Sequence, residues 1–410
     1  MKKLKRINLI LFFSLFILSP NIVFSQISAL KLGIDVLLDD HSELVKDKKI
    51  ALLISPTSFN FDLEHSIDSL SRISKIKAIF TGDKFFRSTF SDASQSEKID
   101  AMTNAPVFEI TDPLKKPSIE EIGESQILVI DVQDVGIRFF NYVTLLAQFL
   151  ELARDIDIPV IVLDRPNPIN GLLVSGPVLE LPFRSRFGVY PIPLVYGMTF
   201  GELALYFNKV FGLGAKLTVI GMEGYQREMS YRETAIHWVP PSDHLPEPES
   251  PAFYAITGIL GEMGIFSTGV GTTRPFHYIL APWIDGELVA HNLTGYHLKG
   301  VRFLSVNVTP YYGLYERKKV GGIEIIIDDF VNFDPAVIGL AILRVLYKIY
   351  PDKIPLDNQS LSKGFDTLLG GAAVREAIIK QVPLNDIILS WTPKIQEFLE
   401  RRKNFLIYKE

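Results

Sequence analysis

The chain has 410 residues, of which 47% are hydrophobic and 22% are charged, and its formal net charge is −5. This length favours two domains with substantial cores, and the mild negative charge, with no long basic run beyond the N-terminus, argues against nucleic acid as a partner. Cysteine is absent, which excludes disulfides, a catalytic thiol, thiolate metal sites and a lipidated cysteine.

The first 25 residues have the pattern of a secretory signal peptide. Four basic residues lie among the first six, a mainly apolar stretch covers 9–18, and Val23 and Ser25 are the small residues of a cleavage site before Gln26. The apolar stretch is short for a bilayer crossing. We therefore expect export to the periplasm or the medium, with no integral membrane span after signal removal; an uncleaved membrane anchor is the alternative.

Strand and helix patterns alternate through the first half of the mature chain. Strands are predicted at 49–54, 74–80, 127–132, 159–164 and 216–221, and helices at 142–155 and 199–211. Thr199 followed by Glu202 is a capping box that starts the second helix. This alternation predicts a Rossmann-like, doubly wound and mostly parallel sheet.

Five prolines between Pro240 and Pro251 indicate a rigid connector. We place the domain boundary there, with an N-terminal domain over 27–240 and a C-terminal domain over 241–410. Strands at 301–306 and 322–327 and helices at 335–349, 374–380 and 394–403 predict a smaller α/β domain of the α+β type.

Polar side chains follow two of the predicted strands. Ligands bind at the carboxyl ends of strands in open α/β sheets, so four of these side chains are candidate ligand contacts: Asp134, Arg138, Arg165 and Asn167. Asp131 is interpreted as structural. The alternatives are an ion pair between Asp134 and Arg138 that caps the next helix, and a simple turn at Asn167 before proline.

Several longer blocks occur in one order along the chain, from about Gly33 to Tyr408. They are Asp131–Arg138, Leu163–Pro168, Gly197–Glu202, Trp238–Ser242, Gly271–Phe276, Ala281–Trp283 and Phe365–Gly370. These blocks resemble the signature blocks of the exo-β-N-acetylmuramidases of the NamZ/YbbC type, which are glycoside hydrolases. The resemblance covers nearly the whole mature chain.

The resemblance implies a fold, a site and a reaction. It implies a Rossmann-like N-terminal domain, a smaller α/β C-terminal domain and a site in the cleft between them. It also implies removal of a terminal N-acetylmuramic acid from peptidoglycan fragments, without a metal or another cofactor. The expected partner is therefore a peptidoglycan-derived sugar or muropeptide.

The chain departs from the family pattern at positions that bear polar groups. Family members typically have Pro-Glu-His-Gly-Phe-Arg where this chain has Gly82–Arg87, so Asp83 takes the place of the glutamate. They have Ser-Glu-Gly-Arg-Gly-Thr where this chain has Ser267–Thr272, so Thr268 and Val270 replace an acid and an arginine.

Two further departures add candidate ligand contacts. Tyr196 replaces a histidine before Gly-Met-Thr, and His244, next to Asp243, lies where the family has a Pro-Asn pair. Tyr196 offers a flat face to a sugar ring, and His244 with Asp243 suits an acid–base pair. The alternatives are a buried aromatic residue and a histidine on a surface loop.

Glycoside hydrolysis needs one protonated and one ionised carboxyl group. Asp83 is one candidate by its position in the motif, although a turn residue after Gly82 is the alternative. Glu262 is the other, because it lies in the glycine-rich and otherwise apolar run 258–264, where partial desolvation favours a general acid. Its alternative is a solvated glutamate on a loop.

Two functions remain open on the sequence alone. The first is an exported glycosidase that acts on N-acetylmuramic acid or a related amino sugar, with Asp83 and Glu262 as the acid and base. The second is a muropeptide-binding or sugar-binding protein of the same fold that kept the cleft and lost hydrolysis.

Overall fold

The computed structural model describes residues 30–82 and 98–409. The predicted signal peptide and Asp83 lie outside the described residues. No helix in the two described ranges combines the length and apolar character that a bilayer crossing requires.

The N-terminal part is built around one large sheet. Its elements are α1 (Gly33–Asp40), β1 (Lys49–Ile54), α2 (Ser66–Ser71), β2 (Lys75–Thr81), β3 (Lys98–Ile99), β4 (Pro106–Glu109), α3 (Ile119–Ile122), β5 (Ile127–Asp131), α4 (Asn141–Asp155), β6 (Pro159–Leu163), α5 (Phe200–Val210) and β7 (Lys216–Ile220). The seven strands have the order β3-β4-β2-β1-β5-β6-β7. Every pair is parallel except β3 with β4. The predicted mostly parallel sheet is confirmed.

Burial on both faces explains why the central strands are continuous apolar runs. Residues of β5 are buried throughout, as expected for a parallel strand with helices on both faces of its sheet. One core lies between the sheet and α4 and α5, and another lies between the opposite face and α1 and α2. The predicted capping box of α5 is present, since Thr199 Oγ1 accepts from Glu202 N at 3.3 Å and Glu202 Oε2 accepts from Thr199 N at 3.0 Å.

The C-terminal part is a smaller α+β unit, as predicted. It contains α6 (Ser250–Gly261), β8 (Tyr278–Ala281), α7 (Gly286–Thr294), β9 (Val301–Val308), β10 (Val320–Ile327), α8 (Pro335–Ile349), α9 (Gln359–Leu369), α10 (Ala373–Ile379) and α11 (Leu384–Arg402). The strands form an antiparallel sheet in the order β8-β10-β9. Helix α11 begins well before the predicted start at Lys394, because the helix continues through Pro393.

The two parts contact each other through residues that precede the proline-rich connector and through residues that follow it. Val135, Ile137 and Phe139 pack in the same core as α6 and α8. In the other direction, the chain after α11 returns to the large sheet, where the Tyr408 hydroxyl donates to Asp164 Oδ2 at 2.6 Å. The segment that follows β5 is therefore placed against the C-terminal part, and a cleft forms beside it.

Candidate active site

A cleft of about 510 Å³ lies between the two parts of the protein, within the size range of small-molecule sites. The N-terminal part contributes the start of α4, and the C-terminal part contributes α6 and three loops. The lining side chains that bear polar groups are Asn141, Ser242, His244, Tyr254, Glu262, Ser267 and Thr268. The cleft thus combines an apolar wall with a few converging polar groups.

Glycines on α6 let the cleft wall pack closely. A Cβ atom at Gly258 would lie 2.9 Å from the Tyr254 ring and 3.0 Å from the Phe139 ring, and one at Gly261 would lie 3.0 Å from Thr268. Each distance is tighter than ordinary van der Waals contact, so a larger residue would displace these rings or the loop. The glycines before Glu262 therefore let the Tyr254 and Phe139 rings and the loop with Thr268 pack closely against α6.

Glu262 is the carboxyl group among the lining residues that the structure describes. It caps the C-terminal end of α6 and its N–H donates to Gly258 O at 3.1 Å. Its side chain is 42% exposed and lies 3.5 Å from Arg186 Nη2. The desolvated environment expected from the apolar sequence context is not found, because the side chain is partly exposed to solvent.

His244 is the second predicted site residue that the structure places in the cleft. Its backbone N–H donates to Ser242 Oγ at 3.3 Å, and its ring centroid lies 6.4 Å from that of Tyr312. Asp243 is exposed. Of the predicted residues in the described ranges, the cleft brings together Glu262 and His244.

Arg165 does not line the cleft, and its predicted contact with substrate stays a prediction. It is buried and forms a two-point ion pair with Asp131, with Nε–Oδ1 and Nη2–Oδ2 distances of 2.5 and 2.8 Å. Nη2 also donates to Phe59 O at 2.8 Å. A guanidinium engaged in this way fixes the ends of β5 and β6. The interpretation of Asp131 as structural agrees with this pair.

Arg138 does not line the cleft either, and its predicted contact with a ligand stays a prediction. Its side chain is 0% exposed and it donates to the carbonyls of Pro177, Ile192 and Leu368 at 2.8 to 2.9 Å. Burial lowers the pKa of Arg138 to about 9. The guanidinium therefore ties the segment after β5 to α9 of the C-terminal part, and the alternative of an ion pair with Asp134 is not observed either.

Asp134, Tyr196 and Asn167 are buried as well and do not line the cleft. The Tyr196 hydroxyl and the Gly136 N–H donate to Asp134 Oδ2, the latter at 2.8 Å. Asn167 Nδ2 donates to Met198 O at 2.9 Å, and its Oδ1 accepts from Ile169 N at 3.0 Å. These bonds hold the loops after β5 and β6, and the predicted contacts of the three side chains with substrate stay predictions.

Asp134 should make the stability of the protein depend on pH. Burial raises its pKa to about 6, although the Tyr196 hydroxyl opposes this shift. The folded state then holds the proton more tightly than the unfolded state, so this group contributes most stability below its unfolded pKa, and that contribution is lost as the pH rises through 6. Relative to Asp134→Asn, the wild type should lose about 2 kcal/mol of unfolding free energy between pH 4.5 and 7.5.

Urea denaturation of both proteins at the two pH values measures this difference, and Asp39→Asn, at an exposed position, is the control. Equal pH dependence of the wild type and Asp134→Asn would contradict a raised pKa at Asp134.

Two residues of the cleft and one at its edge were not predicted from the sequence. Asn141 begins α4 directly after the Arg138-Phe-Phe motif, and Tyr254 precedes Glu262 by two helical turns. Helical spacing places positions 254, 258 and 262 on one face, so recognition of α6 as a helix would have identified Tyr254. Arg186, in contrast, lies far from any motif, and its contact with Glu262 joins positions distant in sequence.

The fold and cleft define a class: a Rossmann-like domain joined to a smaller α/β domain, with a carboxyl group in a sugar-sized cleft between them. Family models described as exo-beta-N-acetylmuramidase NamZ match the chain at residues 50–249 for the N-terminal domain and 252–408 for the C-terminal domain. The chain therefore belongs to the NamZ family, which confirms the resemblance found in the sequence.

Individual relatives agree with this assignment. The chain is 37% identical over 383 residues to the peptidoglycan beta-N-acetylmuramidase NamZ of Bacillus subtilis strain 168. The aligned region covers 92% of this chain and 91% of that protein. A crystal structure of a DUF1343 family protein from Bacteroides fragilis has a TM-score of 0.86 at 32% identity, covering 93% of this chain and 99% of the other. A second such protein from the same organism has a TM-score of 0.72 at 26% identity, covering 93% and 100%.

Proposed function

We propose that this protein is an exported glycosidase that removes a terminal N-acetylmuramic acid from peptidoglycan fragments. The observation that carries the proposal is the carboxyl group of Glu262 in the cleft of a NamZ family member. Glu262 would donate its proton to the glycosidic oxygen as the bond to the anomeric carbon breaks, and water would add to that carbon. Export is proposed from the N-terminal sequence pattern.

The second carboxyl group of this reaction is not among the described lining residues. Asp83, the sequence candidate, lies outside the described residues and stays a prediction. It would act on the anomeric carbon, either by activating water or as a nucleophile, while Glu262 protonates the leaving group. Asp83→Asn tests that assignment separately from Glu262.

A sugar-binding protein without turnover is the second candidate, and one observation favours it. Thr268 and Val270, which stand where the family motif has an acid and an arginine, both line the cleft. The cleft has therefore exchanged charged groups for neutral ones. A protein of this kind would bind the same amino sugar and release it unchanged.

Turnover of a chromogenic β-N-acetylmuraminide distinguishes the two candidates. The glycosidase should release the chromophore and free N-acetylmuramic acid at a rate proportional to enzyme concentration. A rise in melting temperature with N-acetylmuramic acid, without any release of chromophore, would support the binding protein. Absence of both effects would exclude this sugar as the ligand.

A further inference from the structure

The charge in the cleft is incompletely balanced by the residues that line it. The described lining includes the carboxyl group of Glu262 and no lysine or arginine. Glu262 also lies at the C-terminal end of α6, where the helix dipole places partial negative charge. An anionic ligand that entered this cleft would need a cation at its edge.

Arg186 is a cation at that edge. Its Nη2 lies 3.5 Å from Glu262 Oε2, and its side chain is 56% exposed. It also lies within electrostatic reach of Tyr254 of the cleft wall: burial raises the pKa of Tyr254, the charge of Glu262 raises it further, and the charge of Arg186 lowers it. The charge of Arg186 therefore affects two residues that line the cleft, although Arg186 itself is not among the lining residues.

The backbone holds Arg186 in place while its guanidinium stays accessible. Ser185 and Gly188 exchange two backbone hydrogen bonds of 2.9 and 3.0 Å, which closes a tight turn, and Thr144 Oγ1 of α4 donates to Arg186 O at 3.1 Å. The guanidinium carbon lies 4.7 Å from the centroid of the Phe187 ring. Its contact with Glu262 is a single long one between exposed groups, and such pairs contribute little stability.

We propose that Arg186 is a carboxylate-binding site of the cleft, and that it takes the lactyl carboxylate of the sugar. This inference rests on the proposed function, since it concerns the same cleft and the same sugar. The lactyl carboxylate is the charged group that distinguishes N-acetylmuramic acid from N-acetylglucosamine. A two-point contact with a carboxylate is stronger than the single contact to Glu262, so the arginine exchanges one partner for the other when substrate binds.

The exchange also provides a reason for an arginine at this place in the chain. The lining residues that the structure describes include no lysine or arginine. Arg186 approaches the cleft from the opposite domain, on the turn that packs against α4. Arg186 thus supplies a cation that the described lining of the cleft lacks.

Three substrates with one leaving group test the proposal. They are a β-N-acetylmuraminide with a free lactyl carboxylate, the same muraminide with a lactyl carboxamide, and the β-N-acetylglucosaminide. The wild type should prefer the carboxylate over the carboxamide by about 10- to 100-fold in kcat/KM, the size expected for a charge-assisted contact. Arg186→Gln should abolish that preference by raising KM for the carboxylate substrate, with kcat little changed, and Arg186→Lys should restore part of it.

Arg302→Gln is the matched control, because Arg302 is an exposed arginine of β9 paired with Asp328, and it should keep the preference. An Arg186→Gln enzyme that still prefers the carboxylate would overturn the assignment of Arg186 and leave the proposed function intact. A wild type that neither cleaves nor binds any of the three substrates would instead refute the proposed function.

Discussion

Replacement of Glu262 by glutamine is expected to lower kcat on β-N-acetylmuraminides by about 10²- to 10⁴-fold, the usual contribution of a general acid. Glutamine keeps the shape of the side chain but has no acidic proton that it could transfer to the glycosidic oxygen. Loss of the exposed contact with Arg186 should have little effect on stability. An unchanged melting temperature would show that the loss of activity is chemical.

The leaving group gives a sharper test of this role. When the leaving group is another sugar, its hydroxyl oxygen must be protonated as the glycosidic bond breaks. A dinitrophenolate, in contrast, leaves as a stable anion and needs no general acid. Glu262→Gln should therefore retain far more activity on a dinitrophenyl muraminide than on a muramyl–glucosamine disaccharide. Glu316→Gln, a half-exposed glutamate on the loop between β9 and β10, is the matched control and should behave as wild type on both. Equal losses on the two substrates would assign Glu262 to another role.

The sheet could be predicted from the sequence because the pattern of each central strand lies within a few consecutive residues. An apolar run such as Ile127–Ile130 is buried on both faces, and this requirement is visible in the residues themselves. Helix α6 was missed because its glycines and apolar residues lack amphipathic periodicity. It is buried along most of its length, with Ala255, Ile256 and Leu260 inside the C-terminal core.

The strand ends were located correctly, but the internal partners of the polar side chains at these ends could not be predicted. Arg138 and Leu368 are joined by a hydrogen bond across 230 residues of sequence, and Arg165 reaches back to Phe59. Whether a polar side chain at a strand end meets ligand or backbone depends on these distant partners. Glu262 and His244, in contrast, line the cleft, and their predicted roles stay predictions.

The buried ion pair between Glu202 and Arg227 carries the largest expected effect on stability. Both side chains are 0% exposed. Arg227 Nη1 donates to Glu202 Oε2 and to Gly171 O, each at 3.1 Å, and Glu202 Oε1 accepts from Ile407 N at 2.8 Å. The pair therefore joins the start of α5, the loop after β6 and the C-terminal tail.

Arg227→Met should destabilise the protein by about 3 to 5 kcal/mol, because it leaves the carboxylate of Glu202 buried without its cation. The double variant Glu202→Gln/Arg227→Met should recover part of this loss, since no unpaired charge remains, and the double-mutant cycle gives the coupling energy. Thermal and urea denaturation measure both. Arg232→Met, at an exposed arginine paired with Glu249, should have little effect. A fully additive cycle would show that the buried charge is not the cause of the loss, and that packing of the Arg227 side chain against the Gly171 loop is what stabilises this region.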